Sequence, residues 1–492
     1  MRLRFAIRDR KSKCKRSFIM SQNIAIVGSG FLGLTLALRL AETSAKVTVY
    51  ESASEIGGLA SSWQIGDVVW DKHYHVTLAS DSYTRKVVEE ISLGDEFDWV
   101  ETKTGFYTDG KLVSMSNSLE FLRFPPLDLV SKFRLGATIF YASRMKDWKA
   151  LEKISVEDWL TKLSGRRTFE KMWKPLLKAK LGEAYQDTSA AFIWATIQRM
   201  YAARNSGLKR EMFGYVRGGY ARILERFGEH LKEKGVKICL NAKVSIVEKL
   251  ADGRVKLTAE NAKDAEKKRT FAKELSLATA GNFQTENFFQ NYAPSAFSVI
   301  DNSSEFDSLI LTCPSNVVAN ICPQLSEDEK AKFENIKYQG IVCASVLMKK
   351  SLSKFYVTNI TDQTPFTGII EMSALVDKAE FGGNVLVYLP KYVAPDDELF
   401  ARTDAQIEDV FLTALEKMYS HFSRADVSAF KVSRVRQVFP LPTLNYSADL
   451  PPVKTSLENV FAINSAQITN GTLNVNETVQ LAERFFEDYF AS

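Results

Sequence analysis

Gly28, Gly30 and Gly33 stand in the spacing Gly-x-Gly-x-x-Gly, and a carboxylate, Glu51, follows eighteen residues after the last of them. Glycines at these intervals suit a turn that holds paired phosphates against bare main chain. Gly28 lets the chain turn sharply, Gly30 has no Cβ to keep a pyrophosphate away, and Gly33 lets a following helix pack close. A carboxylate at Glu51 can accept both hydroxyls of an adenosine ribose, whereas a 2′-phosphate would be repelled. A glycine doublet, Gly57-Gly58, comes six residues beyond it. Two of the four histidines, His73 and His75, lie one residue apart in Asp71-Lys72-His73-Tyr74-His75. In a strand both would face the same way, but no further ligand residues accompany them and no metal site is expected. The five cysteines, Cys14, Cys239, Cys313, Cys322 and Cys343, are odd in number, widely spaced and free of any CxxC pair. They point to a reducing, cytoplasmic compartment without a disulfide framework or zinc. The sequence has no GxSxG, HExxH or Walker loop, so hydrolytic and NTPase chemistry lack their usual groups.

The elements that must position the glycines are legible around them. Ile24, Ala25, Ile26 and Val27 form an apolar run too short for a helix and stopped at once by Gly28, which reads as a buried parallel strand. Leu34, Leu36, Ala37, Leu38, Leu40 and Ala41 then mark a helix, whose N-terminus offers free N–H groups and a positive dipole end to phosphate. A second strand, Val47 to Tyr50, delivers Glu51.

This βαβ unit with its doublet resembles the flavoprotein superfamily of amine oxidases, protoporphyrinogen oxidase, carotenoid-type desaturases and UDP-galactopyranose mutase. That pattern is GxGxxGLxxAxxL, a strand ending in Glu, then GG; Gly28, Gly30, Gly33, Leu34, Ala37, Leu40, Glu51, Gly57 and Gly58 match it. The resemblance implies FAD rather than NAD, and places Phe31, Leu32, Ser52, Leu59 and Ala60 beside the cofactor with the matched residues. It also puts Gly218 of the Gly218-Gly219 pair near the flavin, Val244 beside the adenine, and Cys313 where a strand of the type D-x-V-I-x-A-x-P turns toward the cofactor. The relatives commonly carry Gly-Asp where this chain has Ile463-Asn464. Asn464 and Asn474, in a strand–loop–helix unit, are the expected ribityl or phosphate contacts, uncharged. No cysteine lies in this loop, where covalent relatives tether the flavin, so a dissociable FAD is expected. His75 is the residue implied to lie near the flavin ring.

With 492 residues and 45% hydrophobic composition, the chain can bury a large core in two or three domains. The expected fold class is α/β. A discontinuous Rossmann-like FAD-binding domain (21–95, 212–325, 452–492) is joined to a mixed helical and β-sheet substrate domain (96–211, 326–451). Residues 260–304 read as an inserted loop. The net charge of +5 is concentrated in residues 1–19, leaving a nearly neutral body that gives no footprint for nucleic acid. That basic leader (1–20, expected to be disordered) admits an upstream start ahead of Met20, a targeting segment or a surface-binding arm, and the first is preferred. No run reaches eighteen uninterrupted apolar residues.

Within the substrate domain, Leu127, Leu129, Val130, Phe133, Leu135, Ile139 and Phe140 alternate with Lys132, Arg134, Arg144 and Lys146. A core-facing helix with a solvated side is the expected form. The alternative is a membrane-surface patch, which would go with a greasy substrate and peripheral membrane contact. The segment WKPLLKAKLG followed by a Ser-Ala-Ala helix resembles the helical domain of protoporphyrinogen-oxidase-like proteins, which makes Trp173, Lys174, Lys180, Trp194, Arg199 and Arg204 pocket candidates. Strands facing the flavin should turn Tyr388 or Glu371 toward a small-molecule substrate. His75, Tyr388 and Lys180 are the catalytic candidates. The function expected is FAD-dependent hydride removal from a C–N or C–C bond. Its rivals are a non-redox mutase using Arg199, Arg204 and Arg217 on a substrate diphosphate, and a flavin-binding partner protein without catalysis.

Overall fold

The computed structural model describes residues 22–205, 212–261 and 303–491; the leader, most of the 260–304 insertion and the side chain of Arg204 fall outside the described residues. Strand β1 (Asn23–Val27) pairs in parallel with β2 (Lys46–Tyr50), Ile24 opposite Val47 and Ile26 opposite Val49. On its other side it pairs with Ser308–Leu311, and Lys237–Cys239 and Val460–Ala462 complete a five-stranded parallel sheet. Ala25 and Ile26 point to opposite faces, yet both are fully buried, because helices cover one face and a three-stranded antiparallel sheet the other. An unbroken apolar run is therefore what the strand needs.

Helix α1 (Phe31–Ala41) packs against the C-terminal helix Val475–Tyr489. Arg39 fastens that contact. Its guanidinium is buried between Glu483 of the C-terminal helix, at 2.5 Å, and Glu90, at 2.8 Å, the last residue of α2 (Ser82–Glu90). The stretch Phe306 to Cys313 holds the last residue of one strand and the whole of the next. Ser303–Phe306 joins the antiparallel sheet and Ser308–Leu311 the parallel one. The break falls at Asp307, whose carboxylate accepts from Asn23 N at 2.7 Å and whose N–H donates to Asn23 O, tying the chain to the start of β1.

A seven-stranded sheet runs in the order Val427–Pro440, Tyr338–Met348, Val385–Val393, Gly368–Glu371, Val357–Ile360, Thr104–Thr108, Lys111–Ser114. The last two form a hairpin. Asp109 and Gly110 both take positive φ, 50° and 71°, as its two-residue turn demands. The hairpin β3 (Ser62–Ile65) and β4 (Val68–Asp71) leads the chain from the glycine doublet to the histidine segment.

Helices fill residues 118–205, among them α3 (Ser118–Leu122), α4 (Leu129–Arg144) and α5 (Trp148–Leu151). The core-facing helix expected here holds only in part: Leu135 and Ile139 pack on the core and Arg134 and Arg144 are exposed, but other apolar residues face out. In α4 the buried side carries Ser131, Lys132, Leu135, Thr138 and Ala142, while Leu129, Val130, Phe133, Phe140 and Tyr141 face solvent. The polar groups on the inward side find partners: Lys132 donates to Leu122 O at 2.8 Å, and Thr138 Oγ1 lies 3.0 Å from Ser164 Oγ.

Candidate active site

The carboxyl ends of the parallel strands open on one edge of their sheet, the edge where open α/β sheets bind ligands. The three glycines there have different reasons to be glycine. Gly28 has φ +106°, and a Cβ on it would lie 2.5 Å from Thr312 Oγ1; a Cβ on Gly33 would lie 2.0 Å from Gly28 O. Both are required by the chain's own packing. Gly30 has an ordinary φ of −67°, and a Cβ on it would meet no heavy atom within 4 Å. Its hydrogen faces open space at the start of α1, where no side chain caps the helix. First-turn N–H groups are thus left to an external acceptor at the positive dipole end. Gly57 N donates to Ser29 O at 2.8 Å, and Gly58 comes so close that its Cβ would lie 3.4 Å from Gly30 Cα. The two glycine segments form one floor, anchored by buried Phe31, Leu32 and Ala60 and half-buried Leu59.

Glu51, at the end of β2, accepts from Ser29 N and Ser29 Oγ, both at 2.8 Å, and from Ala53 N at 2.9 Å. Its remaining partner is the exposed Ser52 hydroxyl at 3.2 Å, the contact a ribose hydroxyl would displace. These groups fit FAD: an open cradle, an uncapped helix N-terminus and a fixed carboxylate. Gly28, Gly30, Gly33, Glu51, Gly57 and Gly58 would hold its adenosine diphosphate half.

Other predicted contacts are occupied within the protein. Asn464 is buried; its Nδ2 donates to Cys313 O (3.0 Å) and Ser315 Oγ (3.3 Å), and its Oδ1 accepts from Ala466 N (2.9 Å). Its side chain ties two strand ends together, so nothing is left for the ribityl contact expected of it. Asn474 caps the C-terminal helix, accepting from Glu477 N at 3.1 Å. Gly218 N donates to Glu380 at 2.9 Å, and Val244 is buried in the antiparallel sheet. Burial pushes the Cys313 thiol up to about 12, toward its neutral form.

The catalytic candidates gather around aromatic rings. Phe31 of the cradle lies 5.5 Å, centroid to centroid, from Tyr220, and Tyr220 lies 4.9 Å from the His75 ring. His75 Nδ1 is 2.9 Å from His73 O and 4.0 Å from the Asp71 carboxylate, which accepts from Tyr220 N. Tyr388 is fully buried and donates to Asp71 O at 2.5 Å, so it supports this turn instead of facing a substrate. Glu371 is likewise buried, bonded to Ser351 and Ser353. Lys180 Nζ lies 2.6 Å from Tyr392 Oη, which is 2.8 Å from Tyr74 Oη, the neighbour of His75. Of the remaining candidates, Trp173 donates to Ser164, Lys174 pairs with Glu170, Trp194 donates to Met145 O and Arg199 pairs with Asp81.

Burial moves this cluster toward its neutral forms. Desolvation raises Asp71 to about 8 and Tyr74 to about 12, and lowers His73 to about 3, His75 to about 4 and Lys180 to about 7. A cavity with room for about one water lies against Asp71, His75, Thr77 and Tyr220. Sequence reasoning missed Tyr392 and Asp71. The alternation in VLVYLPKYV, which puts Tyr388 and Tyr392 on one face of a strand, was the available signal for the former.

A cradle that fits FAD thus lies beside a buried aromatic cluster, the pairing expected of a flavoprotein. Residues 33–273 and 293–474 match the flavin containing amine oxidoreductases, and the chain belongs to that family. It is 25% identical over 261 residues to the zeta-carotene desaturase of Synechocystis sp., covering 48% of this chain and 52% of that one. To the 15-cis-phytoene desaturase of Capsicum annuum it is 20% identical over 443 residues, 84% of this chain and 68% of the relative. The chain thus spans about half to two thirds of these relatives' length. Its fold matches that of putrescine oxidase bound to putrescine with a TM-score of 0.66 at 15% identity, covering 96% of this chain and 100% of that one.

Proposed function

We propose that this enzyme removes hydride from a C–C or C–N bond of a mostly apolar small molecule, with FAD held non-covalently. When bound, FAD supplies the hydride acceptor. The chain's own residues grip the diphosphate, exclude water and orient the reacting bond. The observation that carries the reading is the shared direction of the shifts in Asp71, His73, Tyr74, His75 and Lys180: each is driven toward its uncharged form. Surroundings that disfavour the charged forms of the resident side chains also disfavour a charged substrate. In this reading neutral His75 and the Lys180–Tyr392–Tyr74 chain are the polar contacts available to the substrate, and Lys180, near 7, can hold or release a proton at Nζ. The desaturase relatives favour a C–C bond and the putrescine oxidase fold a C–N bond.

Of the arginines a sugar diphosphate would need, Arg199 is paired with Asp81 and Arg217 with Asp98 at the surface, and the side chain of Arg204 lies outside the described residues. An apolar substrate partitions into lipid, so peripheral membrane contact belongs to the same proposal. Anaerobic mixing with a long polyene, an aliphatic amine and a nucleotide sugar, followed by flavin absorbance, tests it. Bleaching by the polyene or the amine is expected. Turnover of the nucleotide sugar alone, and only after reduction of the enzyme, would replace it with the mutase reading.

A further inference from the structure

Among the described residues, seven of the eight large hydrophobic side chains that are at least half exposed lie between Leu119 and Tyr141. Phe133 is 79% exposed, Leu129 74% and Val130 70%; Leu119, Leu122, Phe140 and Tyr141 complete the set. On α4 they recur at positions 129/130, 133, 140/141, one stripe along the outer side of the helix, and α3 packs beside it with Leu119 and Leu122. The outward stripe of α4 is not an accident of loose packing, since its inward Lys132 and Thr138 are hydrogen-bonded and its N-terminus is capped by Asp128, which accepts from Ser131 N at 2.8 Å.

The charges around this stripe are one-sided. All four acids between residues 118 and 153 are engaged: Glu120 with Ser114 and Ser116, Asp128 with Ser131 and Arg167, Asp147 with Ala150, Glu152 with Ser447. Arg123, Arg144, Lys146, Lys149 and Lys153 are exposed, with no ion-pair partner recorded among the described residues. Arg144 instead lies 4.3 Å from the Phe140 ring, its charged end beside an apolar one.

Apolar tips flanked by uncommitted cations are the composition of a helix that lies in a bilayer interface, tips among the acyl chains and cations at the phosphates. We propose that α3, α4 and α5 form the face by which this enzyme docks on an anionic lipid membrane. This deepens the membrane contact proposed above by assigning it a surface and a lipid charge. The basic leader, with seven net positive charges in residues 1–19, is electrostatically unsuited to cover the same face.

The test is co-sedimentation of the full-length holoenzyme with phosphatidylcholine vesicles, with and without phosphatidylglycerol. Binding to the anionic vesicles, weakened by salt and at least about tenfold weaker without phosphatidylglycerol, is expected. Phe133→Ser with Phe140→Ser should weaken it at least about tenfold at unchanged flavin content. Should that variant misfold, Arg123→Glu with Lys149→Glu reads the electrostatic part. Absence of binding by the wild type, or equal binding by every variant, overturns the assignment. So does a shift from dimer to monomer in the serine variant without any vesicle binding, which would make the face a contact between copies. Bleaching of the flavin by detergent-dispersed substrate is read separately, so loss of docking and loss of the proposed reaction are distinguishable.

Discussion

Replacing Gly30 with valine separates a glycine kept for a ligand from glycines kept for the fold. The backbone at Gly30 is extended, with φ −67° and ψ 173°, a conformation valine adopts readily, and the new Cβ has no neighbour within 4 Å. Stability without cofactor should therefore stay within about 0.5 kcal/mol of wild type. The added methyl groups would occupy the space above the α1 N-terminus, keeping a phosphate out of reach of the first-turn N–H groups. Loss of two charge-assisted hydrogen bonds, each about 1.5–3 kcal/mol, removes about 3–6 kcal/mol of binding. FAD should then bind about a hundredfold to ten-thousandfold more weakly. Gly33→Ala is the control. Its Cβ would lie 2.0 Å from the Gly28 carbonyl oxygen, so α1 must move off β1 and the apoprotein itself should lose about 1–3 kcal/mol or more. Flavin titration of apoprotein, with urea unfolding of the same samples, reads both. A Gly30→Val protein that retains its flavin at wild-type affinity would refute the cradle, as would an apoprotein unfolded by that change.

His75→Ala should alter the rate of flavin reduction at full flavin content, measured by stopped flow; an unchanged rate would leave His75 a packing group against Tyr220. Lys180 has a folded-state value near 7 against about 10.4 in an unfolded chain, so the unfolded state binds more protons between them and stability should rise with pH across that window. Lys180→Met should flatten that part of the melting-temperature profile and abolish any inflection near pH 7 in flavin reduction. Asp71 acts with the opposite sign. Its value is raised from 3.8 to about 8, the folded state binds the extra proton, and stability should fall as pH rises between them, a slope that Asp71→Asn removes. Arg39→Ala strands Glu483 and Glu90 at a largely buried contact and should cost about 3 kcal/mol in urea unfolding.

The cofactor half of the site was legible because it is local. Strand, glycine turn, helix and Glu51 follow one another in the chain, and Gly33 answers a demand made by its near neighbour Gly28, although the demand on Gly28 itself comes from distant Thr312. Family, fold class and FAD followed from that contiguous stretch. Asn464 shows where such reading stops. Its type and position fit a cofactor contact, but the ends of two strands brought together by the fold take up its amide. The cluster proposed to meet the substrate is long-range: Lys180, Tyr392 and Tyr74 meet through a helix, a sheet strand and a loop that no spacing connects. Periodicity likewise assigned residues of α4 to common faces without fixing which face turns inward. That depends on whether Lys132 and Thr138 find partners inside, and the answer lies with Leu122 and Ser164, contributed by other helices.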